Sequence, residues 1–134
     1  MLAGSDGKVA ALAWTSIKVQ RVVGSTMAAD ALSLQMAMSH TIYLREVLAE
    51  TLGVEATALP IKSFIDSNNL YQAAKLTKSV EDRRLRLDIA QIEECVKKSG
   101  VKVLWVQADE MLAYCLTKRG GKADGLMDVI TSGN

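Results

Sequence analysis

Two aspartates stand where side chains can do chemistry. Asp66 follows directly on the apolar run Ile61-Lys62-Ser63-Phe64-Ile65, and α/β proteins bind ligands beyond the carboxyl ends of their strands. Asp30 lies three residues after Met27 and four before Leu34, a helical spacing that puts it at the flank of a buried stripe. A carboxylate at the edge of an apolar face is hydrogen-bonded, metal-bound or costly. Two such acids converging from a strand end and a helix would suit magnesium, which takes hard oxygen ligands. The same residues also fit plainer roles. Asp66 could cap a helix starting near Asn68, and Asp30 could be a first-turn acid favoured by the helix dipole.

Basic residues offer a second chemistry. The segment Thr117 to Lys122, TKRGGK, is a basic loop with no acid in it. Lys118, Arg119 and Lys122 could contact phosphates there, joined by Lys18 and Arg21 if the two regions meet. Arg83, Arg84 and Arg86 are spaced for one helix segment, but Glu81, Asp82 and Asp88 share its two turns. That stretch fits either phosphate contact or a salt-bridged, solvated helix. The lone histidine, His40, is almost three turns from Asp30 and is expected to be structural or at the surface. Cys95 and Cys115 have no metal-ligand spacing and are expected to be inert intracellular thiols.

The elements that must position these residues follow from periodicity. Asp6-Gly7 is a turn signal, and Val9 to Trp14 is expected to form the second strand of a hairpin. Ile17 to Val23 is expected to be extended or a loop. Ser25 or Thr26 can cap a helix running to about Leu52, with Met27, Ala31, Leu34, Met38 and Ile42 as its apolar stripe and Gly53 as its stop. Ile61 to Ile65 is expected to be a strand, followed by a short helix to about Leu76. A second long helix is expected from Val80 to Lys98, with Leu85, Ile89, Ile92 and Val96 inward and Gly100 at its end. Val101 to Val106 is the clearest strand. Asp109 can cap a helix over Glu110 to Lys118, and a last, weaker helix spans Ala123 to Ile130. Trp14 and Trp105, both on expected strands, are expected in the core. The pattern is α/β with at least partly parallel strands.

With 134 residues, 49% of them apolar and 23% charged, the composition is that of one soluble domain. A net charge of +1 makes no field strong enough to name nucleic acid as a partner, so any basic surface must be local. No apolar run reaches the length of about 18 residues that a membrane span needs, and no membrane partner is expected. The first ten residues lack the basic and apolar regions of a signal peptide, which points to an intracellular, cytoplasmic or nuclear location.

The blocks LAWTS, RVVGSTMAADALSL, YLREVL, FIDSNNLYQA, RRLRLDIAQIEE and VLWVQADEMLAYCLTKRG occur in that order between about Asp6 and Gly120. In sequence and order they resemble the ribonuclease H region at the end of copia-type retrotransposon polyproteins. STMAAD and WVQADEMLAYCLTK are the most specific parts. The resemblance implies an RNase H-like mixed sheet flanked by helices, spanning residues 1–121, with a helical tail over 122–134. It implies an RNA/DNA hybrid as partner, a reverse transcriptase segment upstream, and four carboxylates holding two magnesium ions that activate water and stabilise the leaving oxygen.

Position by position, the implied site is incomplete. The family's helix acid is a glutamate in an AAE context, matched here by Asp30, whose reach is shorter by about 1.5 Å where metal–ligand distances tolerate only about 0.2 Å. The strand-end acid is matched by Asp66 in FIDSNN, intact. The final-helix acid is matched by Tyr114, whose phenol is a poor magnesium ligand beside a carboxylate. The fourth acid belongs to a first strand that Asp6, in the hairpin turn, does not supply. That strand lies at the centre of the family's sheet, so the resemblance implies a domain that lacks it and is impaired or inactive in hydrolysis.

Overall fold

A computed structural model of the chain describes residues 1–76, 82–117 and 120–134. It is mixed α/β, and among the described residues it holds four strands and five helices. These divide into two units, one of residues 1–18 with 107–134 and the other of residues 19–106.

In the first unit, strands β1 (Leu2–Ala3) and β2 (Val9–Ala10) form the expected antiparallel hairpin. Its turn is built by Asp6, whose carboxylate accepts from the Lys8 amide at 3.1 Å, and by Gly7 at φ 79°, a left-handed conformation that favours glycine. The second strand is shorter than its apolar run suggested. Among the described residues Ala11 to Trp14 have no ladder partner, so Trp14 sits on irregular backbone, 64% exposed and not in the core. The helix expected over Glu110 to Lys118 is also interrupted. Ala108–Glu110 form a 3-10 turn and Met111 is extended, so helix α4 is the single turn Tyr114–Thr117. Asp109 therefore lies inside the turn and caps nothing. Helix α5 (Asp124–Ser132) closes the unit, and the Gly133 carbonyl accepts from the Val9 amide at 2.8 Å.

The second unit is built on helix α1 (Thr26–Leu52). Ser25 caps its start, accepting from the Ala28 amide at 3.1 Å, and Gly53 in the left-handed conformation ends it. Strand β3 (Lys62–Ile65) leads into helix α2 (Asn68–Leu76), then helix α3 (Arg83–Ser99) and strand β4 (Lys102–Trp105). Asp82 caps α3, its carboxylate accepting from the amides of Arg84 at 2.8 Å and Leu85 at 3.2 Å. Val80, where that helix was expected to begin, lies outside the described residues. Strands β3 and β4 pair in parallel, Ile65 opposite Trp105, and the two helices supply the crossover such pairing requires.

The core of this unit joins Ala31, Leu34 and Met38 of α1 to Ile61 and Ile65 at β3, Leu70 and Ala73 of α2, Leu85, Ile89 and Ile92 of α3, and Val101 before β4. Of the stripes that the spacing predicted, Ala31, Leu34 and Met38 of α1 and Leu85, Ile89 and Ile92 of α3 are buried, Met27, Ile42 and Val96 pack at the edge of the core, and Ala28 and Asp88 are buried beside them. Ladder bonds divide the four strands between two two-stranded sheets, in place of the single mixed sheet that was expected. The hairpin strands are only two residues long, and among the described strands they pair only with each other.

Candidate functional site

Asp66 is exposed one residue beyond the carboxyl end of β3. It does not cap α2. Ser67 does that, its hydroxyl accepting from the Leu70 amide at 3.4 Å and its carbonyl from the Tyr71 amide at 3.0 Å. The Asp66 carboxylate is therefore not consumed by the helix start. Its main-chain carbonyl accepts from the Trp105 indole N–H at 3.1 Å, which pins the end of β4 to the residue past β3. That bond holds Trp105 at the sheet end, 43% exposed, where a core position was expected.

Asp30 is half-buried on α1, five residues past the Ser25 cap. It precedes Ala31, and Asp66 follows Ile65; Ala31 and Ile65 belong to one core cluster. Both acids are thus rooted on elements of the same packed unit. Among the described residues, no group of three or more histidines, cysteines or acids is arranged to hold a metal ion. Two carboxylates are short of the donor set for a pair of magnesium ions. Tyr114, where the resemblance would place an acid, is half-buried at the start of α4 in the first unit.

The basic residues separate. Lys118 and Arg119 lie outside the described residues. Lys122 is exposed just before α5. Arg21 is committed to a partner, its guanidinium forking onto both oxygens of Asp88 on α3, one contact at 3.4 Å and the other shorter. Asp88 is 4% exposed, while the Arg21 side chain is 38% exposed. The sequence placed Asp88 among the acids of a solvated helix. Its burial has no local signal, because its partner is 67 residues away.

Arg83, Arg84 and Arg86 are exposed, and none forms an ion pair with a described acid. Asp82 is used as the cap and Asp88 faces inward, so neither pairs with these arginines, and Glu81 lies outside the described residues. The ion pair on α3 lies further along, Glu94 with Lys98. Their hydrogen bond, and then their mutual attraction, lowers the Glu94 carboxyl and raises the Lys98 ammonium from their ordinary values. Arg45 of α1 donates to the Ser99 carbonyl at 2.7 Å, placing a cation on the last carbonyls of α3. His40 is exposed on α1. A shallow pocket in the first unit, lined by Ala11, Trp14, Leu112, Leu116 and Leu126 among others, is apolar except for Thr15 and offers no reactive group.

No family model matches the chain, and comparison with curated proteins and with solved structures gave no match. Among the described residues no helix is long and apolar enough to cross a membrane.

Proposed function

We propose that the chain is a retrotransposon-derived, RNase H-like domain of the copia type that no longer carries out two-metal hydrolysis. The resemblance of its sequence blocks supports this origin. So does the order hairpin, long helix, strand, two helices, parallel strand and helix. The observation that carries it is the contrast between two positions. Asp66, matched to a family acid, stands exposed past the end of a parallel strand with its carboxylate unused by the following helix. Tyr114, matched to another, brings a phenol in place of a carboxylate. Such a domain would work inside the cell, in cytoplasm or nucleus, beside a reverse transcriptase segment.

What remains to it is contact with nucleic acid, through Lys118, Arg119 and Lys122, with Arg21 largely withdrawn by Asp88. Magnesium titration tests the loss of chemistry: no tight uptake of two ions is expected, and tight uptake of two, abolished by Asp66→Ala, would restore the enzyme reading. Binding of an RNA/DNA hybrid separates a nucleic-acid-binding remnant from a relic with no role, since the relic binds nothing even at low salt.

A further inference from the structure

Helix α1 is apolar on two sides. Ala28, Ala31, Leu34 and Met38 are buried in the core. Away from it, Met36, Tyr43, Leu44 and Val47 are exposed, Tyr43 at 68%. Between Asp30 and Arg45 no residue is Asp, Glu, Lys or Arg, a stretch of about four turns. The solvent side of a helix ordinarily carries charged residues, and single exposed apolar residues need no explanation. A contiguous apolar patch without charge marks a contact surface.

The exposed side is spaced to meet another helix. Ser33, Met36, His40, Tyr43, Val47 and Glu50 alternate in steps of three and four residues, and all six are exposed. That is the a and d spacing of a two-helix seam. A copy turned end over end about a twofold axis, at the level between Thr41 and Ile42, meets it position for position. Met36 then faces the partner's Val47, His40 the partner's Tyr43 and Ser33 the partner's Glu50, each contact made twice as a twofold requires. The central imidazole and phenol can hydrogen-bond, and a polar residue at one such position fixes register. Orientation follows from charge. A parallel copy would set Glu50 against its own twin, whereas the antiparallel one parts the two by about 25 Å along the axis. Helix α1 has no acid in its first turn and no base in its last, so antiparallel ends also offset each other's dipoles.

We propose that the chain forms an antiparallel homodimer through the exposed side of α1, a second copy being the occupant of that face. The middle of the side has no acid, lysine or arginine, so two copies meet there without like-charge repulsion. One helix per protomer makes an interface at the small end, below about 1,200 Å² in total, so the dimer is weak and concentration-dependent. The proposal does not rest on the ribonuclease H reading, because it uses only α1.

The test is sedimentation equilibrium of the whole chain over a concentration series reaching about 200 μM. The average mass should rise from one chain toward two and stop there. Met36→Lys and Val47→Glu, each alone, bury an unpaired charge in the seam and should weaken self-association by at least about tenfold, at unchanged circular dichroism. On one helix the two positions are about three turns apart, so they meet only across the antiparallel seam. The double variant puts opposite charges face to face there and should recover most of the association. A native chain that stays monomeric throughout overturns the proposal, as does a mass that climbs past two chains. Undiminished dimer in both single variants moves the contact off α1 and overturns it as well. A double variant that associates no better than the singles overturns the antiparallel register. Binding of the native chain to phosphatidylcholine vesicles, with no dimer in solution, gives the face to a membrane instead.

Discussion

The Arg21 guanidinium grips the Asp88 carboxylate with both terminal nitrogens, joining the segment before α1 to the middle of α3. The pair is lopsided, with the acid buried and the base partly in water. Removing Arg21 therefore strands a buried charge. Arg21→Ala should cost about 1–2 kcal/mol, less than the about 3–5 kcal/mol of fully enclosed pairs, because solvent screens the arginine. The double variant Arg21→Met with Asp88→Leu should cost less than the sum of the singles in urea unfolding. Additive losses would mean that the two side chains do not share one interaction.

The cap of α2 distinguishes two neighbours. Ser67→Ala should destabilise by about 0.5–1 kcal/mol and Asp66→Ala by less than about 0.5 kcal/mol, by chemical denaturation. A larger loss for Asp66→Ala would make that acid structural and take away its availability for ligand.

Core burial gives a contrast of the same kind. Met38 and Ile92 are fully buried, and alanine at either should cost about 2–5 kcal/mol. Trp14 is mostly exposed, and Trp14→Ala should cost less than about 1 kcal/mol despite its size. Thermal unfolding of the three variants measures the difference, and a Trp14 loss equal to that of Met38 would return the ring to the core.

The Glu94–Lys98 pair makes stability weakly dependent on pH at both ends. Glu94 is lowered in the fold, so its contribution is present above the ordinary glutamate value and is lost as pH falls through the lowered one. Lys98 is raised, so its contribution is present below the ordinary lysine value and is lost as pH rises through the raised one. Lys98→Met should therefore lower the melting temperature slightly near neutrality, with the difference vanishing in strong acid. A difference that persists in acid would give Lys98 a packing role.

Much of the second unit is legible in its sequence, because its long helices have regular apolar spacing and clear ends. Ser25, Gly53 and Gly100 mark α1 and α3 through local backbone chemistry alone, and β3 and β4 show as short apolar runs. The first unit is less legible. Val9 to Trp14 has strand composition, but a strand needs a partner, and the partner Leu2–Ala3 is only two residues long. Met111 to Leu116 has helical composition, yet extended backbone at Met111 divides it. At the candidate site, Asp66 was found because strand ends are a local signal. The fate of Arg21 was hidden because Asp88 is remote in sequence and its burial depends on α3 packing.

Tyr114→Asp returns one carboxylate to its matched position. Together with Asp30 and Asp66 this makes three acids where the proposed two-metal site takes four, so the variant should remain unable to cleave a hybrid in magnesium, as measured by RNA product on a gel. Cleavage rescued by this single change would mean that the missing ligand is already present.

The proposed loss of hydrolysis is tested most directly by incubating the purified chain with an end-labelled RNA/DNA hybrid and magnesium and resolving the RNA strand. The expected result is intact RNA, indistinguishable from that with Asp66→Ala. Magnesium-dependent cleavage by the native chain that Asp66→Ala abolishes would contradict it.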